Sequence, residues 1–314
     1  MLGAVAHLGC MTKKPEQDNL LELTMTESET RARLRKYVQV LAADIGGRSA
    51  LRPESLLQSR NYIEGELKSF GYAPAHQEYE TYGGTFYNIE AERNGGTKPE
   101  EIVVIGAHYD TAGGLPGAND NASGVAATLE LARQFAHQHQ ARSIRWLFFA
   151  NEEPPYFQGP GMGSYVYAKR CRDRHEKIKA MLSLETIGYY SETPGSQRYP
   201  IGFHPGYPDR GNFLGFVSNF RSARLLHQVV TSFRRGTPLP AQSAAAPASV
   251  PGIGWSDHWA FWEFGYRAIM VTDTAPYRYP YYHTAEDTPE KLDYGRIAQA
   301  VIGLAAAIRE ISSE

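Results

Sequence analysis

Val103 to Asp110, V-V-I-G-A-H-Y-D, closes an apolar, β-branched run on a His-x-Asp pair. Residues two apart on a strand share a face, so His108 and Asp110 can act together. An imidazole that ligates a metal needs an acceptor at its other nitrogen to fix its tautomer, and Asp110 is placed to be that acceptor. A Gly/Pro loop then leads into A-N-D-N-A-S-G, where Asp120, taken alone, reads as an N-cap for a helix starting at Asn121. Glu152 and Glu153 follow the apolar stretch W-L-F-F-A. Adjacent carboxylates there would repel each other and desolvate badly unless something positive stands beside them, and a metal ion answers that need. Neighbours in extended chain point apart, so one glutamate can bind metal while the other faces substrate as a base. Glu185, in S-L-E-T-I, ends another apolar strand, where an unpaired carboxylate is costly. His283, in Y-Y-H-T-A-E-D-T, taken alone reads as a surface histidine of a loop. Together these residues, two histidines and three carboxylates with one glutamate to spare, fit a paired divalent site of mixed nitrogen and oxygen donors, which suits zinc.

The elements that must position them follow from periodicity. Apolar spacing predicts helices over 28–45, stopped at Gly46-Gly47, and over 55–70. Residues 77–82 and 85–93 alternate as a hairpin turned at Gly83-Gly84. Continuous apolar runs at 102–107, 144–150 and 181–187 read as strands covered on both faces. Helices are expected at 121–139, 163–170, 222–233, 257–264 and 293–311, with further strands at 214–217 and 268–272. Segments 189–212 and 236–254 read as long irregular loops, and 277–282 as an aromatic one. Strands alternating with helices make an α/β fold, a single domain with a central mixed, mostly parallel sheet flanked by helices. Ligands in such sheets collect beyond the carboxyl ends of the strands, where His108, Glu152, Glu153 and Glu185 fall.

Composition narrows the partners. With 42% hydrophobic residues in 314, the chain can bury a large core, and a formal charge of -2 offers no basic field for nucleic acid. Two cysteines, Cys10 and Cys171, do not make a disulfide framework. The opening M-L-G-A-V-A-H-L-G-C resembles a shortened lipoprotein-type signal with Cys10 as a lipid anchor, although it lacks a basic start and a full apolar core. Residues 1–26 therefore read as leader and linker and 27–314 as the catalytic domain, with the cell envelope, periplasm or secretion favoured over the cytoplasm. No run of about 18 apolar residues is present to span a membrane.

The blocks G-A-H-Y-D, G-A-N-D-N-A-S-G, N-E-E, G-S-Y-V-Y-A, S-L-E-T-I-G-Y, S-D-H-W-A-F-W and Y-H-T-A-E-D-T-P-E-K-L-D-Y, in this order, resemble the co-catalytic zinc aminopeptidases of metallopeptidase family 28, over about Glu27 to Ile311. The resemblance implies the zinc-exopeptidase fold (phosphorylase/hydrolase-like) and two zinc ions, held by His108, Asp120 as the bridging carboxylate, Glu153, Glu185 and His283. It implies Glu152 as general base acting on a metal-activated water, and a cis peptide between Asp120 and Asn121. The best-known members carry Asp where this chain has Glu185, which keeps the carboxylate and lengthens its reach. In some relatives a Tyr at the position of Tyr282 donates to the oxyanion. The substrates implied are peptides with a free N-terminus, and Trp255, Phe157, Phe203, Tyr277 and Tyr279 are candidates to line an apolar side-chain pocket.

Two other readings remain open at this stage. Glutaminyl cyclases resemble this family, use one zinc and close N-terminal Gln into pyroglutamate; Asp257, in S-D-H, would fit that chemistry. A non-catalytic binding domain is the other, but it sits poorly with a set in which no ligand position is neutral. Carboxypeptidase relatives share the ligands, so the exopeptidase direction rests on the resemblance.

Overall fold

A computed structural model describes residues 17–200 and 206–313, with side chains described from residue 27. Cys10 and the leader, and Phe203 among the pocket candidates, lie outside the described residues.

The strands are β1 (Ala75–Thr81), β2 (Gly84–Arg93), β3 (Lys98–His108), β4 (Arg142–Phe149), β5 (Lys177–Glu185), β6 (Leu214–Ser218), β7 (Ala241–Ala245) and β8 (Ala268–Thr272). They form one sheet in the order β1-β2-β4-β3-β5-β8-β6-β7. Its centre, β4-β3-β5-β8, is parallel, as expected. The hairpin β1-β2 joins β4 antiparallel at one side, and β6 joins β8 antiparallel at the other, with β7 parallel to β6 at the edge. The sheet is thus mixed and parallel where it carries the site. Strand β7 falls in the segment expected to be irregular, because A-Q-S-A-A has neither β-branched residues nor alternation to announce an edge strand.

Helices cover both faces: α1 (Gln17–Val38), α2 (Pro53–Ser69), α3 (Gly124–Phe135), α4 (Gly163–Asp173), α5 (Ala223–Gly236), α6 (His258–Glu263), the one-turn α7 (Ala275–Arg278) and α8 (Tyr294–Ser313). The first begins earlier than its apolar spacing indicates and widens into a π-type turn at Gln39–Ile45 before Gly46. No helix among the described residues is long and apolar enough to cross a membrane.

The continuous apolar runs have a direct cause. Along β3, Val103, Ile105 and Ala107 enter the larger core, shared with α1, α2, α3, α5 and α8, while Ile102 and Val104 enter a smaller one with residues of α4 and α6. Strand β4 divides the same way, Ile144, Trp146 and Phe148 against Leu147 and Phe149. Period-two alternation is present, but both faces are dry, so it leaves no polar trace. The C-terminal ends of β3, β4 and β5, side by side in register, are left with the polar residues that follow these runs.

Candidate active site

His108 is the last residue of β3, fully buried, with Nδ1 3.2 Å from the carbonyl oxygen of Asp110 and 3.5 Å from its Oδ1. Nδ1 is thereby engaged as a donor and Nε2 faces the site. Asp110 does more than was expected of it: its two carboxylate oxygens accept the backbone amides of Glu152 and Glu153, each at 3.1 Å. One residue therefore orients the histidine at the end of β3, chiefly through its carbonyl, and the glutamate pair after β4 through its carboxylate.

Asp120 is not the helix cap. The peptide between Asp120 and Asn121 is cis, as the resemblance implied, and Asn121 takes the capping role. Its Oδ1 accepts the amides of Gly124 and Thr186, while its Nδ2 donates to the carbonyl of Leu184 on β5. The regular helix α3 accordingly starts three residues later than the apolar pattern suggested. Relieved of capping, the Asp120 carboxylate extends between the two histidines, with Oδ1 3.3 Å from His108 Nε2 and Oδ2 3.0 Å from His283 Nε2. His283, the loop histidine, also lies 3.2 Å from Glu153 Oε1, and Glu185 Oε2 lies 3.2 Å from His108 Nε2.

Two groups result, His108 with Asp120 and Glu185, and Asp120 with Glu153 and His283, each with its donor atoms within 4.8 Å of one another. Asp120 belongs to both. The longer Glu185 reaches the first group because Ser256 Oγ donates to its Oε2 at 2.7 Å, and Ser256 is itself bonded to Ser183 at 2.9 Å. Glu152 stands beside both groups without joining either: its Oε2 is 3.9 Å from His108 Nε2, and the residue is 5% exposed.

The electrostatics ask for a cation. His108 Nε2, Asp120 Oδ1 and Glu153 Oε1 are buried with no hydrogen-bond partner, a costly state for polar atoms unless a ligand completes them. Burial, with Glu153, Glu185 and Asp257 adding, pushes Glu152 well above the usual carboxylate range. Burial and then Asp120 raise Glu153 to about 7. Burial works against protonated His108, but Glu185 and Glu152 outweigh it and hold its pKa well up. For Asp120 burial opposes ionisation, and the two histidines beside it reverse that and hold it low. Such a set is acid-crowded, and its imidazole and carboxylate donors fit a pair of divalent ions.

The surroundings amend the sequence reading. Tyr282 stacks on His283, ring centroids 3.9 Å apart, and burial with the nearby carboxylates keeps its hydroxyl protonated, hence a donor. A cavity of about 90 Å³ opens beside Glu185 and Tyr282 and is lined by Trp255 and Tyr277, together with Tyr199, Phe216, Ile253 and Met270. Tyr279 and Phe157 are not part of that wall. Tyr279 is buried and donates to Asp287, and Phe157 sits elsewhere in the loop after β4. Asp257 is fully buried with both carboxylate oxygens unpartnered, and burial raises it to about 7. Sequence reasoning passed over Asp287, whose oxygens accept the amides of Asn119 at 2.8 Å and Asp120 at 3.1 Å. The only sequence sign of it was its place four residues beyond His283.

Residues 88–308 match peptidase family M28. The chain is 38% identical over 283 residues to YfbL, an uncharacterised protein of Escherichia coli K12, an alignment covering 86% of this chain and 85% of that one. Among solved structures it is similar in fold to BSAP, a zinc aminopeptidase from Bacillus subtilis, with a TM-score of 0.72 and 16% identity over 90% of this chain and 95% of that one. It is also similar to the glutaminyl cyclase of Fimbriiglobus ruber, with a TM-score of 0.66 and 18% identity over 89% and 94%. The family match runs through the whole cluster, from His108 to His283, and the chain accordingly belongs to peptidase family M28, as a metallopeptidase.

Proposed function

We propose that this chain is an aminopeptidase that holds two zinc ions and releases N-terminal residues from peptides. The observation that carries the reading is the pair of donor groups sharing Asp120, with buried, unpartnered atoms turned toward one another. His108, Asp120 and Glu185 would hold one ion, and Asp120, Glu153 and His283 the other. When bound, such ions polarise a peptide carbonyl and make water a better nucleophile at neutral pH.

The protein's own groups do the rest. Glu152, beside the donor groups but a member of neither, takes a proton from the attacking water as the water oxygen bonds to the carbonyl carbon. It returns that proton to the departing amine nitrogen as the C–N bond breaks. Tyr282, held protonated, donates to the oxygen that gains charge. The acidic surroundings attract the substrate's α-ammonium group, which favours a residue at the very N-terminus, and the aromatic cavity beside Glu185 and Tyr282 receives its side chain.

A second reading, the single-zinc glutaminyl cyclase, draws on buried, unpartnered Asp257 beside Glu152 and on the likeness in fold to the cyclase. The complete second donor group favours the peptidase. Elemental analysis with Leu-, Ala-, Arg- and Gln-nitroanilide substrates separates the two. About two zinc per chain with amine release supports the aminopeptidase, whereas one zinc, no hydrolysis and ring closure of N-terminal Gln overturns it.

A further inference from the structure

Arg48 is fully buried, yet its described hydrogen bonds go to backbone carbonyls rather than to a carboxylate. Its Nη1 donates to Leu41 at 2.8 Å and Gly46 at 2.9 Å, both at the end of the helical segment that precedes it. The remaining bonds all reach the loop that joins His108 to Asp120: Nε to Tyr109 at 2.9 Å, Nη1 to Pro116 at 2.8 Å, and Nη2 to Gly117 at 3.0 Å. The backbone reinforces the contact, with the Arg48 amide donating to Thr111 Oγ1 and the Thr111 amide donating to the Arg48 carbonyl. At Gly47 a Cβ would lie 1.7 Å from the Gly114 carbonyl oxygen, so the two segments approach as closely as only glycine permits.

The loop is thus gripped at its first residue after His108 and again just before Asp120. Its carbonyl side faces the guanidinium and its far end offers amides to Asp287, so a buried cation and a buried anion hold the same stretch from opposite polarity. A guanidinium suits this task because its N–H groups form a fixed planar fork that reaches several acceptors at once, whereas an ammonium places three donors at one point. The charges of Asp287, Asp110 and Asp120 act on Arg48 without bonding to it, and a cation that bonds to carbonyls leaves those carboxylates to other partners. Building on the two-zinc reading above, we infer that Arg48 is a positioning residue of the metal centre, setting the separation of His108 and Asp120 before any ion arrives.

The test is zinc affinity, measured by competition with a chromogenic chelator, in Arg48→Lys and in Thr111→Val, the milder change that keeps the guanidinium. A control, Leu67→Ala in the buried face of α2, lowers stability without touching the loop. Arg48→Lys should hold zinc about 10-fold more weakly than the native protein, the lower end of the cost of losing a direct outer partner of a metal ligand, because Arg48 acts one step further out, through the loop. Thr111→Val should weaken zinc less but in the same direction, while Leu67→Ala melts earlier and keeps native affinity. Native zinc affinity in folded Arg48→Lys overturns the inference, as does native affinity in Thr111→Val should the lysine variant fail to fold. A loss in Leu67→Ala equal to that in the Arg48 variant also overturns it, by reducing the effect to general destabilisation. If the native protein itself takes up no zinc, it is the two-zinc reading that falls.

Discussion

Replacing Asp110 by Asn tests whether one carboxylate holds the glutamate pair after β4 in place. The native oxygens accept the Glu152 and Glu153 amides at 3.1 Å each, and one of them lies 3.5 Å from His108 Nδ1. Asparagine is nearly isosteric but offers one acceptor and one NH₂ group. One backbone amide keeps a neutral acceptor, and the other meets a donor. The loss is one hydrogen bond to a charged acceptor, about 1.5–3 kcal/mol, plus about 1–3 kcal/mol for the amide left buried without a partner. Relaxation of the turn after β4 recovers part of this by moving Glu152 and Glu153 away from the donor groups. The cost therefore divides between folding stability and the site. We expect the melting temperature to fall, zinc affinity to drop about 10- to 100-fold, and kcat to stay depressed even at saturating zinc, because Glu152, the proposed base, moves along with Glu153. Chelator competition, thermal melts with and without zinc, and turnover at saturating zinc read these separately. An Asn variant with native zinc affinity and native kcat would refute the argument, since no other described group replaces Asp110 at the two amides.

Three further outcomes follow from the same geometry. Glu152→Gln keeps the shape of a residue outside both donor groups, so it should retain zinc and lose about 10²- to 10⁴-fold in kcat; near-native turnover removes Glu152 as the base. His283→Ala deletes a donor of one group only, and elemental analysis should find about one zinc per chain instead of two, with two retained ions contradicting the division into groups. Asp273, fully buried, is raised by burial to about 7 against an ordinary 3.8. Its native form holds a proton that the unfolded chain has released, so its contribution is fully present below about pH 4 and is lost as pH rises through 7, at about 1.4 kcal/mol per pH unit inside that window. In metal-stripped protein, Asp273→Asn should therefore gain stability relative to the native chain as pH rises from 4 to 7, and parallel denaturation curves over that range would count against it.

Much of the site was legible because its residues stand at punctuation marks. His108, the Glu152-Glu153 pair and Glu185 each end an apolar run, and a run that ends in a charge marks the rim of a sheet. Asp120 and His283 were less legible on their own. The first looked like a cap because a small acid before a helix ordinarily is one, and only the cis peptide and the Asn121 bonds show that its neighbour caps instead. The second had no periodic context at all. Tyr279 illustrates the opposite error: an aromatic in a loop near the site was offered to the substrate pocket, but its hydroxyl is consumed by Asp287.

The sequence by itself determined the strands and helices of the sheet's centre, the donor types and the end of the sheet where they gather. Those depend on near neighbours, on periodicity and on where apolar runs stop. Only the tertiary structure decided that Asp120 is shared by two groups, that Glu185 reaches its group with help from Ser256, that Asp110 holds the amides of both Glu152 and Glu153, and that Arg48 and Asp287 grip one loop with opposite charges. These partners are separated by tens to hundreds of residues along the chain. A side chain meets its partner there because strands far apart in sequence lie side by side in the sheet, a fact of packing that no local pattern encodes.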